Sequence, residues 1–120
     1  MPLSTGIDII EIQRIDCALA RWGESFQKRI YTPAEIAFCR GRVPELAVRF
    51  AAKEAVSKAL GTGIMGIGWR EIEILPDRRG KPLVILYGRA KARAEAIGLH
   101  EFALTLSHSR DFAVASVVAM

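Results

Sequence analysis

Cysteine and histidine are scarce in this chain, two of each in 120 residues. Cys17 and Cys39 both fall in predicted helices and share no motif, so they read as two reduced thiols of a cytosolic protein, not as a disulfide. His100 and His108 lack ligand spacing, and the cysteines lie far from them in sequence, which argues against zinc. No apolar run approaches the roughly 20 residues of a membrane span. Met1-Pro2-Leu3-Ser4 has neither a basic nor an apolar signal segment, so a cytoplasmic protein without a membrane partner is expected. Repeats, low-complexity stretches and linkers are also missing, and residues 1–120 read as a single domain. No run of five or more basic residues occurs, which argues against a disordered nucleic-acid tail.

Apolar residues, by contrast, are abundant. They make up 51% of the chain, and mean hydropathy is +0.21. That is high for a small soluble monomer, whose surface-to-volume ratio favours polar residues. The surplus predicts apolar surface buried between subunits. The balance of charge is basic, 17 Lys and Arg against 13 Asp and Glu. An anionic partner follows as an expectation: nucleic acid, a polyphosphate ligand or an acidic protein.

The pattern of elements is mixed. Leu3–Glu11 reads as an Ile-rich strand, with Gly6 allowing close backbone approach. Helices are predicted over Glu11–Trp22, stopped by Gly23, over Ser25–Ile30, and from Thr32-Pro33-Ala34-Glu35 to about Arg40. The last opens with an N-cap threonine, a proline and a capping glutamate. Pro44–Leu60 is a long helix with Gly61 just past its end. Glu71–Leu75 and Leu83–Tyr87 form a hairpin about the turn Pro76–Pro82. Arg89–Ile97 is helical, and Phe102–Ser107 and Phe112–Ala119 are strands joined at Ser109-Arg110-Asp111. The class is α+β, a small mostly antiparallel sheet packed with helices.

Three segments carry chemistry. Asp8 lies in an apolar strand, where a carboxylate is costly to bury unless paired or bound to a cation. It could equally be a strand-end acid reaching solvent or an arginine. Glu54 and Lys58 lie one helical turn apart, which is ordinarily a surface ion pair. Ala51, Ala52, Ala55 and Ala59 around them would let something approach closely, and Gly61-Thr62-Gly63 follows as a loop with free N–H groups. It is not a P-loop, because the glycines follow the helix. His108 sits between Ser107 and Ser109 at a strand end, and neither serine occupies a nucleophile elbow. Two carboxylates without a His/Cys cluster suit a hard cation such as Mg²⁺, held with waters and substrate phosphates. Arg14, Arg21 and Lys28 recur every seven residues, and Arg14 and Arg21 share one helix face. That stripe is either a solvated face or a surface that steers an acidic partner.

Taken together, Gly6-Ile7-Asp8-Ile9 with Arg14-Ile15, Arg49-Phe50-Ala51-Ala52-Lys53-Glu54-Ala55 with Lys58-Ala59, Gly61-Thr62-Gly63, Gly80-Lys81-Pro82 and Leu106-Ser107-His108-Ser109 resemble the short class of 4′-phosphopantetheinyl transferases, the holo-[acyl-carrier-protein] synthases. The resemblance runs from Gly6 to Val118, and the segment between Ile30 and Arg49 is several residues shorter than in many members. It implies transfer of the 4′-phosphopantetheine arm of coenzyme A to a serine of apo acyl carrier protein, serving fatty acid biosynthesis and releasing adenosine 3′,5′-bisphosphate. It implies Mg²⁺, with Mn²⁺ as the alternative ion, on Asp8 and Glu54, and Lys58 on the pyrophosphate. Asp8, Glu54 and Lys58 would thus be catalytic. Coenzyme A would meet Arg49, Lys58, Gly61, Lys81, Pro82, His108 and Ser109, and the carrier protein would meet Arg14 and Arg21. A homotrimer with sites between subunits is also implied. The alternatives are a basic nucleic-acid-binding module, which lacks a recognition signature here, and a non-catalytic oligomeric interaction module.

Overall fold

The computed structural model describes residues 2–120. Its centre is a helix whose apolar positions are not confined to one stripe. This is α4, Val43–Ala59, preceded by β1 (Ser4–Glu11), α1 (Ile12–Trp22), α2 (Glu24–Ile30) and α3 (Pro33–Cys39). Leu46, Ala47, Val48, Ala51, Ala52, Ala55, Val56 and Ala59 of α4 are all buried. A helix apolar around most of its circumference must be covered on several sides. One cover is an antiparallel sheet in the order β1-β5-β4, from β4 (Phe102–His108) and β5 (Phe112–Ala119). The hairpin of β2 (Ile72–Pro76) and β3 (Pro82–Leu86) and the helices α1 and α3 supply the rest. Helix α5, Gly88–Ala96, precedes β4.

Strand register decides which residues meet α4. Gly6, Asp8 and Ile10 pair with Val117, Ala115 and Ala113, and these with Leu104, Leu106 and His108, so all nine share the face toward the helix. Small residues on both sides bring the layers together. A Cβ on Gly6 would stand 1.9 Å from the Ala55 carbonyl oxygen. The opposite face of the sheet carries Ile7 and Ile9, 61% and 64% exposed, beside Val114 and Val118.

The expected elements are present within one or two residues of their predicted bounds. Differences lie in the connections. Two 3₁₀ turns, Ile64–Gly66 and Trp69–Glu71, fill the passage from α4 to β2. The strands divide into two sheets, not one. As expected, Gly23 separates α1 from α2, so Lys28 lies on a different helix from Arg14 and Arg21.

Candidate active site

The inward face of β1 and the C-terminal half of α4 build the first cluster. Lys58 does not form a close ion pair with Glu54 one turn back. Its ammonium reaches across to Asp8, Nζ to Oδ1 3.2 Å, and donates to the Ile7 carbonyl at 2.9 Å. Asp8 is therefore paired, its side chain 19% exposed. The Glu54 carboxyl is pushed above the usual range, chiefly by burial and then by the charge of Asp8, with Lys58 acting in the opposite direction. Two carboxylates thus lie close enough to act on each other, with the cation of Lys58 near both. Among the described residues no three His, Cys, Asp or Glu side chains gather as a metal cage. This donor set suits a hard cation that keeps waters and takes remaining ligands from a substrate phosphate.

Gly61 adopts the left-handed conformation that ends α4. The free loop N–H groups expected after it are not free. Thr62 and Gly63 both donate to the Ser57 carbonyl, at 3.2 and 3.1 Å, and Gly61 donates to that of Lys58. The last-turn carbonyls of a helix need donors, and these amides satisfy them. Gly61 therefore terminates the helix, and these three amides are engaged within the chain.

A second site opens at the other edge of the sheet. Phe38, Val48, Arg49, Pro76, Gly80, Pro82, Ser107 and His108 are among the residues lining an open groove of about 460 Å³. It shares no residue with the acid cluster. Arg49 is buried there as a brace: Nε donates to the Ile74 carbonyl at 2.9 Å, and a terminal nitrogen to the Glu45 carboxylate at 3.0 Å. Its guanidinium also lies 4.6 Å from the centre of the Phe38 ring. Lys81 is exposed beside the groove, on a turn held by Asp77 Oδ1, which accepts from the Arg79 and Lys81 amides. Ser109 lies outside the groove lining. Its hydroxyl accepts from the Phe112 amide and fixes the β4–β5 turn.

Arg14 and Arg21 are exposed on α1, and Arg21 lies over the Trp22 ring at 4.7 Å. The residue that sequence reading passed over is Lys53. It is fully buried and pairs with fully buried Glu35 at 2.7 Å. Its ammonium also donates to the carbonyls of Trp69, at 3.1 Å, and Ile72. Burial drives Lys53 down from the ordinary lysine value, while Glu35 opposes that shift. The available signal was Glu35, whose capping role was legible; a carboxylate at that position retains capacity for a second partner.

The superfamily profile described as 4′-phosphopantetheinyl transferase matches residues 4–117. A holo-[acyl-carrier-protein] synthase of Herpetosiphon aurantiacus is 50% identical over 125 aligned positions, covering 98% of each chain. One of Dehalococcoides mccartyi is 52% identical over 117 positions, again covering 98% of each. Among solved structures, the Helicobacter pylori holo-[acyl-carrier-protein] synthase in complex with coenzyme A superposes with a TM-score of 0.88. It is 33% identical, with 97% of this chain and 99% of that one covered.

Proposed function

We propose that this chain, which belongs to the 4′-phosphopantetheinyl transferase superfamily, catalyses the holo-[acyl-carrier-protein] synthase reaction. It transfers the phosphopantetheine arm of coenzyme A to a serine of apo acyl carrier protein. The observation that carries the site assignment is the convergence of Asp8, Glu54 and Lys58 from two elements far apart in sequence. The serine oxygen forms a bond to the phosphorus bearing the pantetheine, and the bond to the bridging oxygen breaks. Adenosine 3′,5′-bisphosphate leaves, and the serine proton passes to solvent.

Asp8 and Glu54 would hold Mg²⁺, or Mn²⁺ in its place. When bound, the ion supplies Lewis-acid polarisation of the pyrophosphate. Lys58 sits where its charge meets the charge gathering on the leaving phosphate, an electrostatic contribution to the transition state. The groove with Arg49, Pro82 and His108, beside Lys81, offers a wall and cations for the nucleotide half of coenzyme A.

We also infer that copies of the chain associate. Asp8 lies on the β1 edge and Leu106 and His108 on the β4 edge, two strand spacings or about 10 Å apart. A substrate seated in the groove of one copy and on the acid cluster of another would use both halves. The apolar outer face at Ile7, Ile9, Val114 and Val118 offers the contact, and we take the assembly to be a trimer. Arg14 and Arg21 would steer the acidic carrier. We place the protein in the cytoplasm, serving fatty acid synthesis; no described helix is long and apolar enough to cross a membrane.

The test is mass spectrometry of apo acyl carrier protein incubated with the protein, coenzyme A and Mg²⁺. One phosphopantetheine should be added to the serine, and EDTA, Asp8→Ala and Glu54→Ala should each abolish the gain. Transfer that survives all three would refute the metal site, and no transfer at all would refute the activity.

A further inference from the structure

Lys53 and Glu54 are adjacent on α4, about 100° apart around its axis, and they face different neighbours. Glu54 turns toward Asp8, whereas Lys53 enters the space between α3 and β2. There its ammonium has three oxygen partners, Glu35 Oε1, the Trp69 carbonyl and the Ile72 carbonyl. Glu35 is held as tightly. Its Oε1 accepts from the Thr32 amide at 2.8 Å and its Oε2 from the Ile74 amide at 2.8 Å. Thr32 donates to Glu73 Oε2 at 2.5 Å, and Tyr87 donates to the other oxygen of Glu73 at 2.8 Å. Trp69 is itself stacked on Phe50 of α4, ring centres 4.6 Å apart.

Stability alone does not account for such a pair. Replacing a buried ion pair with apolar groups is often neutral or stabilising. What the pair does supply is direction, since its partners come from three separate elements and meet α4 at one angular position. On another side, β1 presses on the helix at Gly6 and Ala55. The angle of α4 matters because its rim carries Glu54. A rotation of 10° would move a group at a radius of about 6 Å by roughly 1 Å, whereas metal–ligand distances hold to within about 0.2 Å.

We propose that Lys53, through its buried pair with Glu35, is a positioning residue for Glu54, setting the rotation of α4 and hence the spacing of the Glu54 and Asp8 carboxylates. This rests on the reading that Asp8 and Glu54 hold a divalent cation. The experiment measures Mn²⁺ binding by electron paramagnetic resonance and, separately, adenosine 3′,5′-bisphosphate binding by calorimetry. It uses the parent protein, Asp8→Ala, and the double variant Lys53→Met/Glu35→Gln, which removes both buried charges together. The double variant should melt cooperatively and bind Mn²⁺ about tenfold more weakly, with nucleotide affinity within twofold of the parent. Glu35→Gln alone, which leaves Lys53 its two carbonyls, serves if the double variant does not fold. It should weaken Mn²⁺ several-fold, again without touching the nucleotide. Unchanged Mn²⁺ affinity in a folded variant overturns the proposal, as does a parallel fall in both ligands, which marks general loosening. Parent protein that binds no Mn²⁺ sensitive to Asp8→Ala overturns the metal reading and the proposal with it.

Discussion

Gly6→Ala should damage stability and catalysis together, through one contact. The added Cβ would stand 1.9 Å from the Ala55 carbonyl oxygen, 2.8 Å from its carbon and 3.2 Å from the Ala59 nitrogen. All three are backbone atoms, so no side chain can swing aside. Carbon and oxygen need about 3.3 Å, so β1 and α4 must part by more than about 1 Å. Overpacking of this kind costs about 1–3 kcal/mol, which at this chain length lowers Tm by roughly 5–10 °C. The same parting breaks the span from Lys58 to Asp8 and Ile7, now 3.2 and 2.9 Å. Displacements near 1 Å in a catalytic set cost about a hundredfold in rate. Melting followed by circular dichroism, with kcat from carrier-protein mass spectrometry, reads both effects. Ser4→Ala is the control: it removes a 2.6 Å hydrogen bond to the Ala59 carbonyl without pushing the layers apart. It should cost about 1 kcal/mol and leave kcat within twofold. A Gly6→Ala protein with unchanged Tm and kcat would refute the close approach and the role assigned to it.

Three further outcomes are expected. Ile9→Lys, at an exposed apolar position of the sheet, should leave the circular dichroism spectrum intact, give monomers in sedimentation and abolish transfer; a fully active monomer would sink the shared-site reading. Arg14→Glu should raise KM for the carrier protein about tenfold, in the manner of a steering charge, with KM for coenzyme A unmoved; equal effects on both would remove Arg14 from carrier docking. Thiol labelling at neutral pH should modify Cys17 at once and Cys39 only after unfolding. Cys39 has no exposed surface, and burial, the leading cause, pushes its thiol up to about 11; rapid labelling of both would contradict that core.

Local chemistry made much of this structure readable. The capping box at Thr32 and Glu35 forms as its residue order requires, and Gly61 ends α4 as a left-handed residue should. The Ile-rich run at β1 and the turn residues of the hairpin likewise marked the strands. Partnerships across long sequence distance were not readable that way. The turn spacing of Glu54 and Lys58 suggested a local pair, yet packing of β1 on α4 gave Lys58 a partner 50 residues away. The ties of Arg49 to the Ile74 carbonyl and the Glu45 carboxylate, which hold it at the groove, were likewise not readable from its motif. Lys53 was given no role from its motif; its burial depends on β2 and α3 arriving together, which no pattern within the helix encodes.

The separation of the acid cluster from the groove has a genetic consequence. If each site takes its carboxylates from one subunit and its groove from the next, two inactive chains can cure each other. Asp8→Ala chains would keep a sound groove, and chains carrying Ser107→Trp to block the groove would keep sound carboxylates. Unfolded and refolded together in equal amounts, they should assemble at random. About a quarter of the shared sites in a cyclic assembly would then draw both halves from undamaged surfaces. Recovery of roughly that fraction of parental activity from two dead preparations would make the division of labour visible without any image of the assembly. Continued silence would place both halves of the site in a single chain.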